Sequence, residues 1–196
     1  MKRLMGRVAG MLAAFTVLFG ACFSAAAQTS VSTKTPAGSA VQYCASTGGV
    51  AEEMYPAYGT NGGNPLRLSG TQGFCVYTAS DQSQIYLLLS TLYTAHPSLA
   101  ALAYYAQVQA SGSCEGNPAS CYCTQLGGSD LFGGVNAAGG GWIPPSDPSF
   151  VLEACIFPDL SSIDSWGLFY HSAGIVRGID LSKVLRYKNP YNARKE

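Results

Sequence analysis

Hydrophobic positions in this chain fall into short groups separated by glycine, proline and serine, and the first group differs from the rest. Residues 8–19 form an apolar run behind Lys2, Arg3 and Arg7 and ahead of Ala25-Ala26-Ala27. A basic start, an apolar centre and small residues before a cut mark a secretory signal peptide, so residues 1–27 are set aside from the fold. The run is shorter than the ~20 residues a membrane-spanning helix needs, and the later run at 85–89 is shorter still. Residues 28–38, rich in Ser, Thr and Ala, read as a flexible leader.

Beyond the leader the pattern predicts a helix over 40–46, irregular chain over 55–64 and extended segments at 66–68 and 74–77. Asp81 then precedes a helix over 82–93, in which Ile85, Leu88, Leu89 and Leu92 recur at helical spacing. His96-Pro97 breaks that run, and a further helix over 98–109 turns Leu99, Leu102 and Val108 inward. In the second half Asn117 caps a helix over 118–126 that opens on Pro118. Irregular chain follows over 133–148, then an extended stretch over 150–157. Ser161-Ser162-Ile163-Asp164 forms a capping-box pattern before a helix over 166–170; the second half lacks a counterpart of the 98–109 helix, whose place is taken by 179–187. The succession predicts an α+β fold with a hairpin or small antiparallel sheet.

The two halves repeat each other. Tyr43, Cys44, Gly48 and Gly49 recur 79 positions later as Tyr122, Cys123, Gly127 and Gly128, and Cys75 recurs 80 positions later as Cys155. Self-similarity at such a period reads as duplication, here of a module at 39–110 and another at 111–187, with pseudo-twofold packing and a basic tail over 188–196. Gly48 and Gly127 suit the left-handed conformation that ends a helix.

With Cys22 either removed or acylated, Cys44, Cys75, Cys114, Cys121, Cys123 and Cys155 remain. An even number in an exported chain implies a disulfide framework. Equivalent positions in a duplicated unit predict Cys44–Cys75 and Cys123–Cys155, leaving Cys114 for Cys121, with Cys114–Cys123 as the alternative. Closing each loop of about 32 residues contributes roughly 3–4 kcal/mol on the chain-entropy account. Phe19-Gly20-Ala21-Cys22 also resembles a lipoprotein box, so the location reads as periplasmic or secreted, with an outer-membrane lipoprotein acylated at Cys22 as the alternative.

Three of the eleven basic residues and none of the eleven acidic ones lie in the signal, which leaves eight against eleven, a net −3. Residues 177–196 carry six basic side chains against Asp180 and Glu196, a net +4 on a body of −7. Such a tail can contact an anionic surface. The acidic body, with no nucleic-acid motif, argues against nucleic acid.

Candidate chemistry is sparse. Cys121-Tyr122-Cys123 lacks the spacing of a thiol oxidoreductase or a zinc site, so its cysteines read as disulfides; no metal or cofactor is expected. No nucleophile elbow, phosphate loop or His-Glu-x-x-His helix occurs. His96 and His171 follow Tyr93 and Tyr170 at helix ends, where histidine serves as a C-terminal partner; they are the candidates if the chain is an envelope hydrolase or thiol enzyme. Asp81, Glu153, Asp159 and Asp164 read first as caps and turn residues. All twelve tyrosines and both tryptophans survive processing. Tyrosine offers large contact area at low entropic cost. Tyr55, Tyr58 and Trp142, in the glycine-rich segments, are therefore the candidates for contacting a protein, peptide or glycan; Trp166, Tyr86, Tyr93 and Phe169 read as core.

Asn117-Pro118-Ala119-Ser120-Cys121-Tyr122-Cys123, Gly127-Gly128, Cys155-Ile156-Phe157-Pro158-Asp159 and Trp166 together resemble the haemolysin domain family, a small cysteine-containing domain of bacterial envelopes whose function is not established. The likeness covers about 117–170 well and 40–93 weakly. Asp159-Leu160-Ser161 stands where that family has Asp-Gly-Ser, and Ile163 where it carries another cysteine, which implies that the family's second bond is absent. The resemblance implies an envelope protein. A membrane-damaging activity would need a long amphipathic segment, and none is evident. The residues together predict a non-enzymatic interaction role.

Overall fold

The computed structural model describes residues 37–112, 116–130 and 138–189, all within one compact unit. The signal peptide with Cys22, most of the leader, Cys114 and residues 190–196 of the basic tail lie outside the described residues. In chain order the elements are α1 (Ala37–Ser46), β1 (Val50–Tyr58), β2 (Leu66–Arg67), β3 (Gln72–Thr78), β4 (Gln84–Leu88), α2 (Leu89–Tyr93), α3 (Leu99–Ala106), α4 (Pro118–Gln125), β5 (Gly140–Ile143), β6 (Ala154–Ile156), β7 (Ser162–Asp164), α5 (Ser165–Ser172) and α6 (Leu181–Val184). The seven strands make one antiparallel sheet beside the helices, an α+β fold.

Both halves of the chain contribute strands to that sheet. The first half of β1, residues 50–54, pairs with β3. Its second half pairs with β5 over 55–58, and Ala57 and Tyr58 pair with β2 as well, so β2 and β5 flank β1 on opposite sides. From β3 the sheet runs through β4 and β7 to β6. Trp142 on β5 then exchanges two backbone hydrogen bonds with Leu152, at 2.9 and 2.8 Å, just before β6 begins. The pairings thus run in a closed circuit, and the sheet curls back on itself.

Alternation along the strands separates two cores. Cys75 and Tyr77 on β3, Ile85 and Leu87 on β4, and Ile163 on β7 join the helices in the larger one. Phe74, Val76, Tyr86 and Leu88 face the other way, with Met54, Leu152 and Ala154, and Trp142 and Phe150 pack against them. Such period-two alternation is what a sheet covered on both faces requires.

Several sequence expectations are corrected by this arrangement. Residues 82–93 are not one helix: 84–88 is strand β4 and only 89–93 is helical. Asp81 Oδ1 accepts from the Ser83 amide at 2.9 Å and Gln82 takes φ 67°, a tight turn that returns the chain as a hairpin. The apolar run is continuous because both strand faces are buried, which imitates helical spacing. In α3 the inward residues are Ala100, Ala101 and Tyr104, while Leu99, Leu102 and Val108 are exposed. Ser161 to Asp164 are not a capping box; 162–164 is β7, and Asp164 alone caps α5 by accepting from the Trp166 and Gly167 amides. Within 179–187 a short helix spans 181–184, and Ala37 and Gly38 belong to α1 rather than to the leader. Residues 55–58 and 140–143 are strand, paired with each other in antiparallel register in spite of Pro56, Gly140 and Gly141.

The repeated motif has the same local structure in both copies. Gly49 N–H donates to the Cys44 carbonyl at 2.9 Å and Gly128 N–H to the Cys123 carbonyl at 3.0 Å, with φ 87° at Gly48 and 80° at Gly127. Cys44–Cys75 joins α1 to β3, and Cys123–Cys155 joins α4 to β6. Cys121 is also disulfide-bonded, to a partner outside the described residues. Asn117 caps α4 as its sequence position predicts, accepting from the Ala119 and Ser120 amides. The start of the basic segment is held down: Tyr43 Oη donates to the Val184 carbonyl, Tyr105 Oη to the Tyr187 carbonyl, and the Arg186 guanidinium lies 4.3 Å from the Tyr93 ring.

Candidate functional site

The smaller core opens to the surface at two places, because β7 sets Ser162 and Asp164 on the same face with Ile163 turned away between them. Across the sheet, Leu87 pairs with Ile163, so Leu88 lies towards Ser162 and Tyr86 towards Asp164. The first opening is a cleft of about 370 Å³ whose walls include Phe74, Leu88, Trp142, Leu160, Ser90 and Ser162. The Trp142 and Phe74 rings meet at 5.5 Å. No charged side chain of the described residues lines it. Ser162 is only 4 % exposed; its amide donates to Thr91 Oγ1 at 3.1 Å, yet its own hydroxyl has no hydrogen-bond partner. A buried hydroxyl without a partner costs about 1–3 kcal/mol. Leu160, at the mouth, is 76 % exposed and holds φ 63°, a backbone conformation that side chains disfavour. A larger open groove of about 500 Å³, between α1 and the β1–β3 pair, shares Leu88 and Ser90 with this cleft and carries Glu52 and Glu53.

The second opening, of about 150 Å³, brings together Tyr86, Glu153, Asp164, Trp166 and Arg177. Asp164 is 5 % exposed, and burial pushes its carboxyl up to about 6, against the pull of the Gly167 and Trp166 amides and of Arg177. Burial, reinforced by the charges of Glu52 and Asp164, pushes the Tyr86 phenol up to about 12. Glu153 Oε2 accepts from Asn117 Nδ2 at 2.5 Å and from Trp166 Nε1 at 3.0 Å. Both carboxyl groups are thereby engaged with protein donors: one caps α5, the other ties the start of α4 to α5.

The histidines are not brought together. His96 is exposed in the α2–α3 connection. His171 on α5 stacks on the Tyr104 ring at 3.7 Å, its Nε2 lies 3.1 Å from the Tyr104 carbonyl, and its Nδ1 is buried without a partner. Burial lowers its pKa, so the ring is neutral at pH 7. Asp180 and Ser182 share a polar cleft with it, but Asp180 is occupied in capping α6. An Nδ1 sealed from solvent is placed for packing rather than for taking a proton from a substrate.

Of the aromatic candidates, Trp142 lines the first cleft, while Tyr55 and Tyr58 lie on the neighbouring strand β1. Tyr58 is 44 % exposed, and Tyr55 carries the Arg67 guanidinium 4.0 Å from its ring centroid. Pairing of β1 with β5 places these residues on adjacent strands, not in loops as the glycine content suggested. Ser162 and Leu160 went unnoticed in the sequence; the signal that could have found them is the alternation of Phe74, Val76, Tyr86 and Leu88, which defines a second buried face. Trp166, Tyr93 and Phe169 are half-buried, and Tyr86 is core.

Fold and clefts together define a small disulfide-linked α+β protein with an apolar cleft opening from its curled sheet. No helix of the described residues is long and apolar enough to cross a membrane, and no group of three or more metal-ligating side chains occurs among them. No family model matches the chain, and neither curated proteins nor solved structures give a match.

Proposed function

We propose that this chain is an exported protein of the bacterial cell envelope, periplasmic or secreted, that acts by binding a protein, peptide or glycan partner through the β1–β5 region, with Tyr55, Tyr58 and Trp142 in contact. Its two halves derive from one haemolysin-type domain and meet about a pseudo-twofold axis near Leu87 and Ile163; the row Cys75, Leu87, Ile163, Cys155 in successive strand pairings supports that relation. The observation that carries the functional reading is the placement of an exposed tyrosine on β1 beside a strand whose tryptophan walls an apolar cleft. Aromatic side chains with a polar tip are favoured where a surface must be both apolar and wet. The carboxylates, by contrast, are taken up in caps and ties.

The test is in-cell photocross-linking. A benzophenone amino acid at position 58 should give a discrete adduct in the native envelope, and one at Val176, an exposed residue between α5 and α6, should not. Equal labelling at both positions, or at neither, defeats the proposal.

A further inference from the structure

The cleft beside Trp142 has properties that the interaction role does not require. Its hydroxyl, on Ser162, is buried to 4 % exposure and left without a partner. Buried polar groups in folded proteins are almost always satisfied, and a bound molecule is one way in which an exception is explained. The walls around it, Phe74, Leu88 and Trp142, are apolar, and no charged side chain of the described residues joins them. At about 370 Å³ the cleft falls in the size range of small-molecule sites. Leu160 completes the wall at the mouth, mostly exposed and at φ 63°. The backbone conformation closes the β6–β7 turn, with Leu160 N–H donating to the Phe157 carbonyl at 2.8 Å, but glycine would serve that turn with less strain, and the exposure of a leucine there does not help the free protein.

We infer that this cleft is a binding site for a small uncharged amphiphile, an apolar body bearing one hydroxyl or carbonyl group, with the Ser162 Oγ as its hydrogen-bond partner and Leu160 closing over the apolar part. Absence of charge in the walls selects neutrality, because an ion entering an apolar site would be stripped of water with no counter-charge to receive it. Gln72 and Ser90, the other polar side chains of the wall, are exposed to water, so the one buried hydroxyl, on Ser162, selects one polar group. An acyl chain or a ring with an alcohol, ester or ketone function has that chemistry. This inference deepens the proposed binding role and rests on it only for the choice of face: a small ligand can occupy the cleft whether or not a macromolecule contacts Tyr58.

The probe is octan-1-ol, set against octanoate and octylammonium, which have the same chain and opposite charges. Saturation-transfer NMR on the unmodified oxidised protein, and Trp142 emission in a Trp166→Phe variant, should both show saturable binding of the alcohol. Octanoate and octylammonium should bind at least about tenfold more weakly. Ser162→Ala removes one neutral hydrogen bond and should weaken octanol binding about three- to tenfold, and Leu160→Gly, which also relieves the left-handed backbone, should weaken it while leaving the protein folded. No saturable octanol signal, affinity unchanged in Ser162→Ala, or a charged analogue that binds as tightly as the alcohol would each overturn the inference. The last outcome with octylammonium would point instead to the adjoining groove with Glu52 and Glu53. The cross-linking at position 58 reads the macromolecular contact separately, so the two ideas fail independently.

Discussion

Adjacent glycines in the repeated motif allow backbone handedness and steric volume to be tested one residue apart. At Gly48 an added Cβ would meet nothing within 4 Å, but φ is 87°, so alanine there suffers only the left-handed backbone, about 1–2 kcal/mol. At Gly49 the backbone is ordinary, but the Cβ would lie 2.3 Å from Cys75 Sγ and 2.9 Å from both Cys44 Sγ and Tyr77 Cε1. Non-bonded heavy atoms settle at roughly 3.5–4.0 Å, so the overlap with Cys75 exceeds about 1 Å. A disulfide tied to α1 and β3 has little room to withdraw. Overpacking of this kind costs about 1–3 kcal/mol and occasionally more, and Gly49→Ala is placed at the upper end, about 3 kcal/mol. Urea denaturation of the oxidised chain measures both variants. The decisive step is a double-mutant cycle in Cys44→Ala/Cys75→Ala: with the sulfurs gone, the cost of Gly49→Ala should fall by at least about 1.5 kcal/mol, while that of Gly48→Ala stays the same. A Gly49→Ala cost that is equal with and without the sulfurs refutes the steric account. Gly128 repeats the experiment, with Cys155 Sγ at 2.4 Å and Cys123 Sγ at 2.9 Å.

Three further outcomes follow from the geometry. Burial raises the Asp164 carboxyl to about 6, so the folded state holds that proton more tightly than the unfolded chain; the stabilisation is complete below the ordinary carboxylate range and is lost as pH rises through 6. Asp164→Asn, which keeps a capping oxygen, should therefore gain on the native protein by about 2 kcal/mol between pH 4 and pH 7, and parallel stability–pH profiles would exclude this. Asn117→Ala should cost about 1–2 kcal/mol in chemical denaturation, because it removes the α4 cap and one of the donors to Glu153; a change under about 0.5 kcal/mol would show that the cap is dispensable. Intact-mass analysis of the exported protein should give a chain beginning at Gln28 that gains six hydrogens on reduction, and acyl mass on Cys22 would replace the soluble form with a tethered one.

How much of this was legible in the sequence depended on whether a residue's role was local. Asn117-Pro118, Gly48 and Gly127 announce helix ends through backbone chemistry that acts over a few residues, and the structure has them there. The Cys44–Cys75 and Cys123–Cys155 bonds followed from repetition. By contrast 84–88 gave a helical pattern because an apolar strand covered on both faces has no polar alternation to betray it. Leu99 and Leu102 misled for the opposite reason: in α3 the alanines face the core, so the larger side chains are on the outside. Alternation of Phe74, Val76, Tyr86 and Leu88 marks the face on which Ser162 lies, but that its hydroxyl is unpartnered is a property of what surrounds it. Closure of the sheet through Trp142 and Leu152 was equally hidden, being a single bridge between residues in irregular sequence.

The division of the sheet into two faces connects stability with binding. Both disulfides described at atomic level, with the helices they pin, lie on the face of the larger core. Each closes a loop of 31 or 32 residues, which contributes roughly 3–4 kcal/mol on the chain-entropy account. On the opposite face the Ser162 hydroxyl costs about 1–3 kcal/mol and the Leu160 backbone about 1–2 kcal/mol. Either cross-link alone is comparable to or larger than each of these costs, so one face can hold the fold while the other stays incompletely satisfied. The same reasoning predicts an asymmetry between variants. Ser162→Ala and Leu160→Gly should raise the stability of the free protein, because each removes an unfavourable feature without opening a cavity in the larger core, and both should lower its affinity for the alcohol probe. Opposite signs in stability and binding distinguish a site kept for a ligand from an ordinary defect of packing; if both variants instead lower stability, the cleft is part of the structural core.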